Sequence, residues 1–238
     1  MNSNKLHSPW YWIPCLFAAE EIPSAVVTYV ALLMFLQFGT STTLATLYGA
    51  LLFLPWVLKS YFYSKVRKAG RFKRYLHLVE TLMLVCLTGL AVYISEASVK
   101  GWQLFLFLFV LSLLCAWHEL LSRLYYSRML FPRQQRIFNN TKMMASQMTL
   151  IVTYGVLIIV AGFFEVFFRS YQKAWAMESS LVVGGFLVFF ALNMIILPTP
   201  KGRDRSRHET LANTVRNELQ VVARIQQKPH ALPVVLSL

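Results

Sequence analysis

Six long apolar stretches constrain this chain more than any other feature. They lie at roughly 10–38, 44–63, 75–95, 102–124, 145–168 and 179–198. A helix that crosses a bilayer needs about 20 consecutive apolar residues, because a rise of about 1.5 Å per residue must cover about 30 Å of hydrocarbon. In lipid the backbone has no water to bond to, and a helix satisfies its own N–H and C=O groups within one segment. The expectation is an all-α polytopic membrane protein with six transmembrane helices. Composition agrees: 57 % of the 238 residues are hydrophobic and only 14 % charged, whereas a soluble domain carries about 25 % charged residues. A water-soluble enzyme and a disordered chain are both excluded on that ground.

The charges that remain are sorted. Twenty of the 23 Lys and Arg residues fall at the N-terminus, after the second run, after the fourth run, or in the tail; the other three, Lys100, Arg169 and Lys173, fall in the alternate connections. The positive-inside rule then puts both termini in the cytoplasm. A net charge of +13 would suit nucleic acid in a soluble domain, but here orientation in a membrane accounts for it, and no nucleic-acid partner is expected. Glu20, Glu21 and the continued apolar run to Phe38 argue against a cleaved signal peptide. The tryptophans fall mostly near the ends of the runs, as interfacial aromatics. The sequon Asn139-Asn140-Thr141 falls on the cytoplasmic side and is expected to be unused. Cys15, Cys86 and Cys115 have neither metal nor redox spacing and read as small apolar packers. No metal or cofactor is expected, and no Gly-rich phosphate loop is present in the sequence.

Two units are predicted: a six-helix transmembrane domain over 1–198 and a cytoplasmic linker over 199–238. Within the linker, Leu211, Val215, Leu219, Val222 and Ile225 give 208–227 one apolar stripe. The run from Ala231 to Leu238 reads as the opening of a seventh span cut short, with a tail packed on the bundle or the lipid as the alternative.

Ionisable groups at membrane depth are costly and normally face a cavity or a partner, so they are the candidate site. Glu20 and Glu21 sit about 15 Å into the first helix, and Pro23 just beyond predicts a broken helix there. His118, Glu119, Ser122 and Arg123 form a group near the inner end of the fourth helix, with Glu119 and Arg123 spaced four apart for pairing. The group opens like His-Glu-x-x-His, but Ser122 stands in place of the second histidine, which excludes metalloprotease chemistry. Asn193 is placed to line a cavity or bond across helices, and Glu80 to pair with the basic loop. Glu165 reads as interfacial, and Gly155, Gly162, Gly184 and Gly185 as sites of close helix contact.

Several short motifs, in order along about 200 residues, resemble a known family. They are Trp12-Ile-Pro14 with Phe17–Pro23, Leu54-Pro-Trp-Val-Leu-Lys59, His118-Glu119, Gln135–Lys142, Ala161-Gly-Phe-Phe-Glu165 and Leu197-Pro-Thr-Pro200. Together with six spans and a basic connection after the second, they resemble the N-terminal half of a major facilitator superfamily transporter, closest to the bacterial anhydromuropeptide permeases. The resemblance implies two three-helix inverted repeats, location in the bacterial inner membrane, and secondary active, proton-coupled uptake of a small solute such as a muropeptide. It implies rocking of helical bundles around a mid-membrane site, with Glu20, Glu21, His118, Glu119, Arg123 and Asn193 as pathway residues. It also places Lys59, Arg67, Gly70 and Arg71 in the family's cytoplasmic loop motif. There Arg67 replaces the usual aspartate and Tyr63 the first glycine, while Arg123 replaces a second acid of the fourth helix. The family's fold has two such halves, so the expected partners are the bilayer, a small substrate, protons, and a second six-helix half or a second copy. The alternative is a non-transporting membrane scaffold or interaction protein derived from a transporter half. Enzymatic catalysis is not expected, since no nucleophile–base constellation occurs.

Overall fold

Proline, glycine and the short polar connections set where each rod starts and stops. A computed structural model describes residues 8–66, 72–96 and 99–198, apart from the side chains of residue 60 and residues 62–66. The described residues form helices and no strand. Six helical spans are long and apolar enough to cross a membrane, so the chain is a multi-pass membrane protein. The first span is α1, Pro9–Gln37. The second combines α2, Thr42–Leu52, with α3, Leu54–Val66. The others are α4, Phe72–Ser95; α5, Gly101–Met129; α6, Pro132–Phe168; and α7, Tyr171–Ile196. The linker region at 199–238, with the expected helix at 208–227 and the seventh-span opening, lies outside the described residues, as do Arg67, Gly70 and Arg71.

Side-chain pairs fix how the rods run. Trp10 meets Phe138, Glu21 meets Ser146, Tyr29 meets Tyr154, and Gln37 meets Glu165, so α1 and α6 lie parallel along their shared length. Tyr48 against Phe105, the Leu52 carbonyl against Ser112, and Lys59 against Glu119 make the second span parallel to α5. In contrast, α4 and α7 run antiparallel: Lys73 reaches the Leu197 carbonyl, Glu80 reaches Asn193, and the Ile94 carbonyl accepts from Gln172. The C-terminal end of α7 carries orphan carbonyls like any helix C-terminus. Lys73 Nζ donates to that of Leu197 at 2.6 Å, and Tyr125 Oη donates to that of Pro198.

Several boundaries differ from the hydropathy reading. The fifth span starts at Pro132, not near 145, because Pro132 stands at the first helical position and Gln134 Oε1 accepts from the Phe131 N–H. Hydropathy registers only the apolar part of such a helix. The sixth span starts at Tyr171, not near 179, with the Ser170 hydroxyl accepting from the Lys173 N–H. The connection before it is therefore only Arg169 and Ser170, and Arg169 takes the left-handed conformation (φ 48°) that ends α6. The expected break in α1 at Pro23 is absent. The helix continues, and the lost register is absorbed by a π-helical turn at Val26–Val30. The break lies in the second span instead, at Phe53, where Pro55 follows and the freed Leu52 carbonyl accepts from Ser112 Oγ.

The core draws most of its side chains from α1, α4 and α5, with Trp12, Phe17, Phe35, Met83 and Tyr125 among them, and further ones from α2, α6 and α7. Trp12 and Trp175 are core residues rather than interfacial ones, since Trp12 packs edge-on against Tyr125 and Trp175 Nε1 donates to Gln37. Trp10 and Trp102 are exposed near helix starts, as expected. The close-contact reading of Gly155, Gly162, Gly184 and Gly185 is overturned: a Cβ at any of them would meet nothing within 4 Å. Tight approaches occur instead at Gly101, where a Cβ would clash with Thr40 Oγ1, and at Gly89, where it would sit 3.3 Å from the Phe107 ring.

Crossing number makes a direct prediction. Single cysteines introduced as Lys100→Cys and Arg169→Cys, with the native cysteines replaced, are expected to react with a membrane-impermeant maleimide from one side. Arg133→Cys should react only from the other. Labelling of all three from the same side would refute the six-crossing arrangement.

Candidate functional site

The ionisable residues separate into two groups on opposite sides of α5. A helix turns about 100° per residue, so neighbours such as His118 and Glu119 face different ways. Glu119 points outward, toward α3. Its carboxylate accepts from Lys59 Nζ and pairs with Arg123 on the next turn of its own helix. The spacing-based pairing of Glu119 with Arg123 holds, and Lys59 of the loop motif joins it as a third member. Exposure rises outward through the triad: the Glu119 side chain is 10 % exposed, Lys59 23 % and Arg123 59 %.

On the same side of α5 as the triad, α1 carries two glutamates that interact electrostatically with Glu119 and Arg123. Glu21 accepts from Ser146 Oγ. Glu20 turns inward and is buried, and its Oε2 has no hydrogen-bond partner among the described residues. Lys142 lies between α1 and α5, with Nζ 4.7 Å from the Phe17 ring centroid and 5.4 Å from that of Tyr126. Those are cation–π distances. The faces of α1, α3, α5 and α6 thus carry Glu21, Lys59, Glu119, Arg123, Lys142 and Ser146. Depth follows from helix rise: Glu21 is about 13 Å along α1 from Trp12, and Glu119 about 9 Å along α5 from Tyr125, which Trp12 contacts. An arginine more than half exposed beside such groups is not a lipid-facing residue.

The second group is a buried polar knot that the sequence reading distributed over three unrelated places. Glu80 of α4 is fully buried. Its Oε1 accepts from Asn193 Nδ2 of α7 at 2.7 Å and lies 3.3 Å from His118 Nε2 of α5. Its Oε2 is 2.9 Å from His77 Nδ1, one turn earlier on α4. Ser122 Oγ lies 3.3 Å from the other nitrogen of His118. The expectation that Glu80 pairs with the basic loop is overturned: its described partners are side chains of three helices. His118 does not join Glu119 in one cluster, because it points into this knot. Asn193 does bond across helices, as one of its two expected roles. The knot leaves His77 Nε2 and Asn193 Oδ1 without a hydrogen-bond partner among the described residues, while its shared acceptor, Glu80, ties three helices together.

Sequence reasoning missed Ser146 and Lys142, which it placed at or below the fifth span, and Glu178, which it took as a boundary residue. No metal-holding group of three or more His, Cys, Asp or Glu side chains occurs among the described residues. A scan against protein-family models, a search of curated proteins and a search of solved structures each gave no match.

Proposed function

We propose that the chain is one six-helix half of a secondary active transporter of major facilitator type, taking up a small polar solute together with protons across the bacterial inner membrane. Its carrying observation is the charged surface on α1, α3, α5 and α6, where Lys59, Glu119 and Arg123 lie within the span of the helices and open outward. Water or a second six-helix unit covers that surface, and the solute path runs along it. The second unit is a second copy or a separate half. Glu20 and Glu21 supply carboxyls for proton or solute; Lys142 and Arg123 supply cations for an anionic group of a muropeptide-like solute.

The order of helix neighbours supports the inverted-repeat reading. If spans one to three correspond to spans four to six, then α1 beside α6 corresponds to α5 beside the second span, and α1 beside α7 corresponds to α5 beside α4. All four neighbour pairs occur, and the first two are both parallel. Both termini face the cytoplasm in this reading, following the basic connections.

The test is uptake into proteoliposomes holding the full chain, with an inward proton gradient and a labelled amino-sugar peptide. Gradient-driven uptake is expected, and Glu20→Gln and Glu21→Gln should each reduce it about ten-fold or more, equivalent to about 1.4 kcal/mol in the barrier. Folded protein that moves no solute under a gradient would overturn the reading in favour of a membrane scaffold.

A further inference from the structure

A carboxyl that the charged surface does not use lies near the other end of the bundle. Glu178 sits seven residues into α7, about 10 Å along it from Tyr171. It is 2 % exposed, and its Oε2 has no hydrogen-bond partner among the described residues. Beside it is a cavity of about 10 Å³, the space of roughly one water molecule. Three elements wall it. From α1 come Val26, Val30 and Met34; from α4 come Leu87 and Leu90; from α7 itself come Trp175, Ser179 and Val182. None of these side chains titrates near neutrality or carries charge, and the Trp175 indole N–H is already given to Gln37. An ionised carboxylate in such surroundings has no cation, and no donor in the wall beyond the Ser179 hydroxyl, to offset its lost hydration, and the neutral acid is the form that fits.

One wall of the cavity is unusual in its backbone. Val26 and Val30 are the ends of the π-helical turn in α1. A π turn departs from the α-helical hydrogen-bond register, and such turns are frequent at functional sites.

We propose that Glu178 is a proton-exchanging group: it holds a proton while the cavity keeps its present walls and releases it to water admitted by a register change at Val26–Val30. The site stands on its own geometry, and only its use in driving solute movement rests on the transport reading above.

Dicyclohexylcarbodiimide tests this directly, because it reacts with protonated carboxyls in apolar surroundings. The full-length protein in lipid vesicles is treated over a pH series, and adducts are located by peptide mass spectrometry. An adduct on Glu178 is expected at mildly acidic pH, falling about ten-fold per pH unit above its midpoint. It should vanish in Glu178→Gln and persist in Glu165→Gln, whose exposed carboxyl lies on α6 near Gln37. Absence of the Glu178 adduct at every pH, while Glu20 is labelled in the same sample, overturns the proposal. So does labelling of Glu178 that ignores pH. Pulling the π turn into plain α-helix by deleting Thr28 should change the labelling midpoint if the wall controls access, and an unchanged midpoint refutes that part. Correct labelling in a protein that transports nothing upholds the proton site and overturns the transport reading instead.

Discussion

Glu80→Ala is expected to destabilise the six-helix unit by about 2–4 kcal/mol. One change leaves His77, His118 and Asn193 without the acceptor they share, and each buried group left unsatisfied costs about 1–3 kcal/mol. The total stays below a simple sum, because helices separated within a bilayer find other partners for their polar groups and interhelical bonds there average about 0.6 kcal/mol. Against a total stability of about 5–15 kcal/mol, the loss lowers the melting temperature in detergent markedly. Glu80→Gln keeps the shape and one strong acceptor, and is expected to cost about half as much. Asn193→Ala alone should cost about 1 kcal/mol. It should cost almost nothing in a Glu80→Ala background, since the bond it removes is already gone. Thermal unfolding of the four proteins measures the cycle. An unshifted melting temperature for Glu80→Ala would show that the three helices are positioned by packing alone.

The second large effect concerns the Lys59–Glu119–Arg123 triad, where stability and activity should part company. Glu119→Leu leaves two cations facing one another without the carboxylate between them. Removing one partner of a fully buried pair costs about 3–5 kcal/mol. Here Arg123 is 59 % exposed and screened, so about 1–2 kcal/mol is expected. Replacing all three residues by methionine removes the stranded charges, and stability should return to within about 1 kcal/mol of the starting protein. Gradient-driven uptake should fall about ten-fold or more in both variants, because the charged surface is gone in one and unbalanced in the other. Full uptake by the triple-methionine variant would show that the triad serves only to hold α3 against α5.

Those two groups also mark where the sequence was legible. Six spans were readable because a continuous apolar run is a local property, and lipid imposes it on each helix separately. The Glu119–Arg123 pair was readable for the same reason: its partners are one turn apart on one helix. Lys59 and Glu119 are 60 positions apart, and Glu80 and Asn193 are 113 apart, so nothing local announces either contact. The boundary errors have one cause. Residues 132–144 and 171–178 are polar or mixed yet helical, because capping and helix propensity do not depend on hydropathy. Placing the start of α7 too late also hid Glu178, which looked like the edge of a span and is a buried member of one. The π turn was not readable, because Pro23 predicts a disturbed helix without specifying whether the chain breaks or takes an extra residue into the turn.

The length of α6 has a mechanical result. Its 37 residues make a rod of about 55 Å, well beyond the about 30 Å of hydrocarbon it has to cross. The excess stands at the Pro132 end, and there Gln135 Nε2 donates to the carbonyls of Ser127 and Leu130 while its own carbonyl accepts from Tyr126 Oη. Those bonds clasp the foot of the rod to the foot of α5. The longest rod is thereby held at both ends by its neighbours, to α5 through the Gln135 clasp and to α7 through the two-residue connection of Arg169 and Ser170.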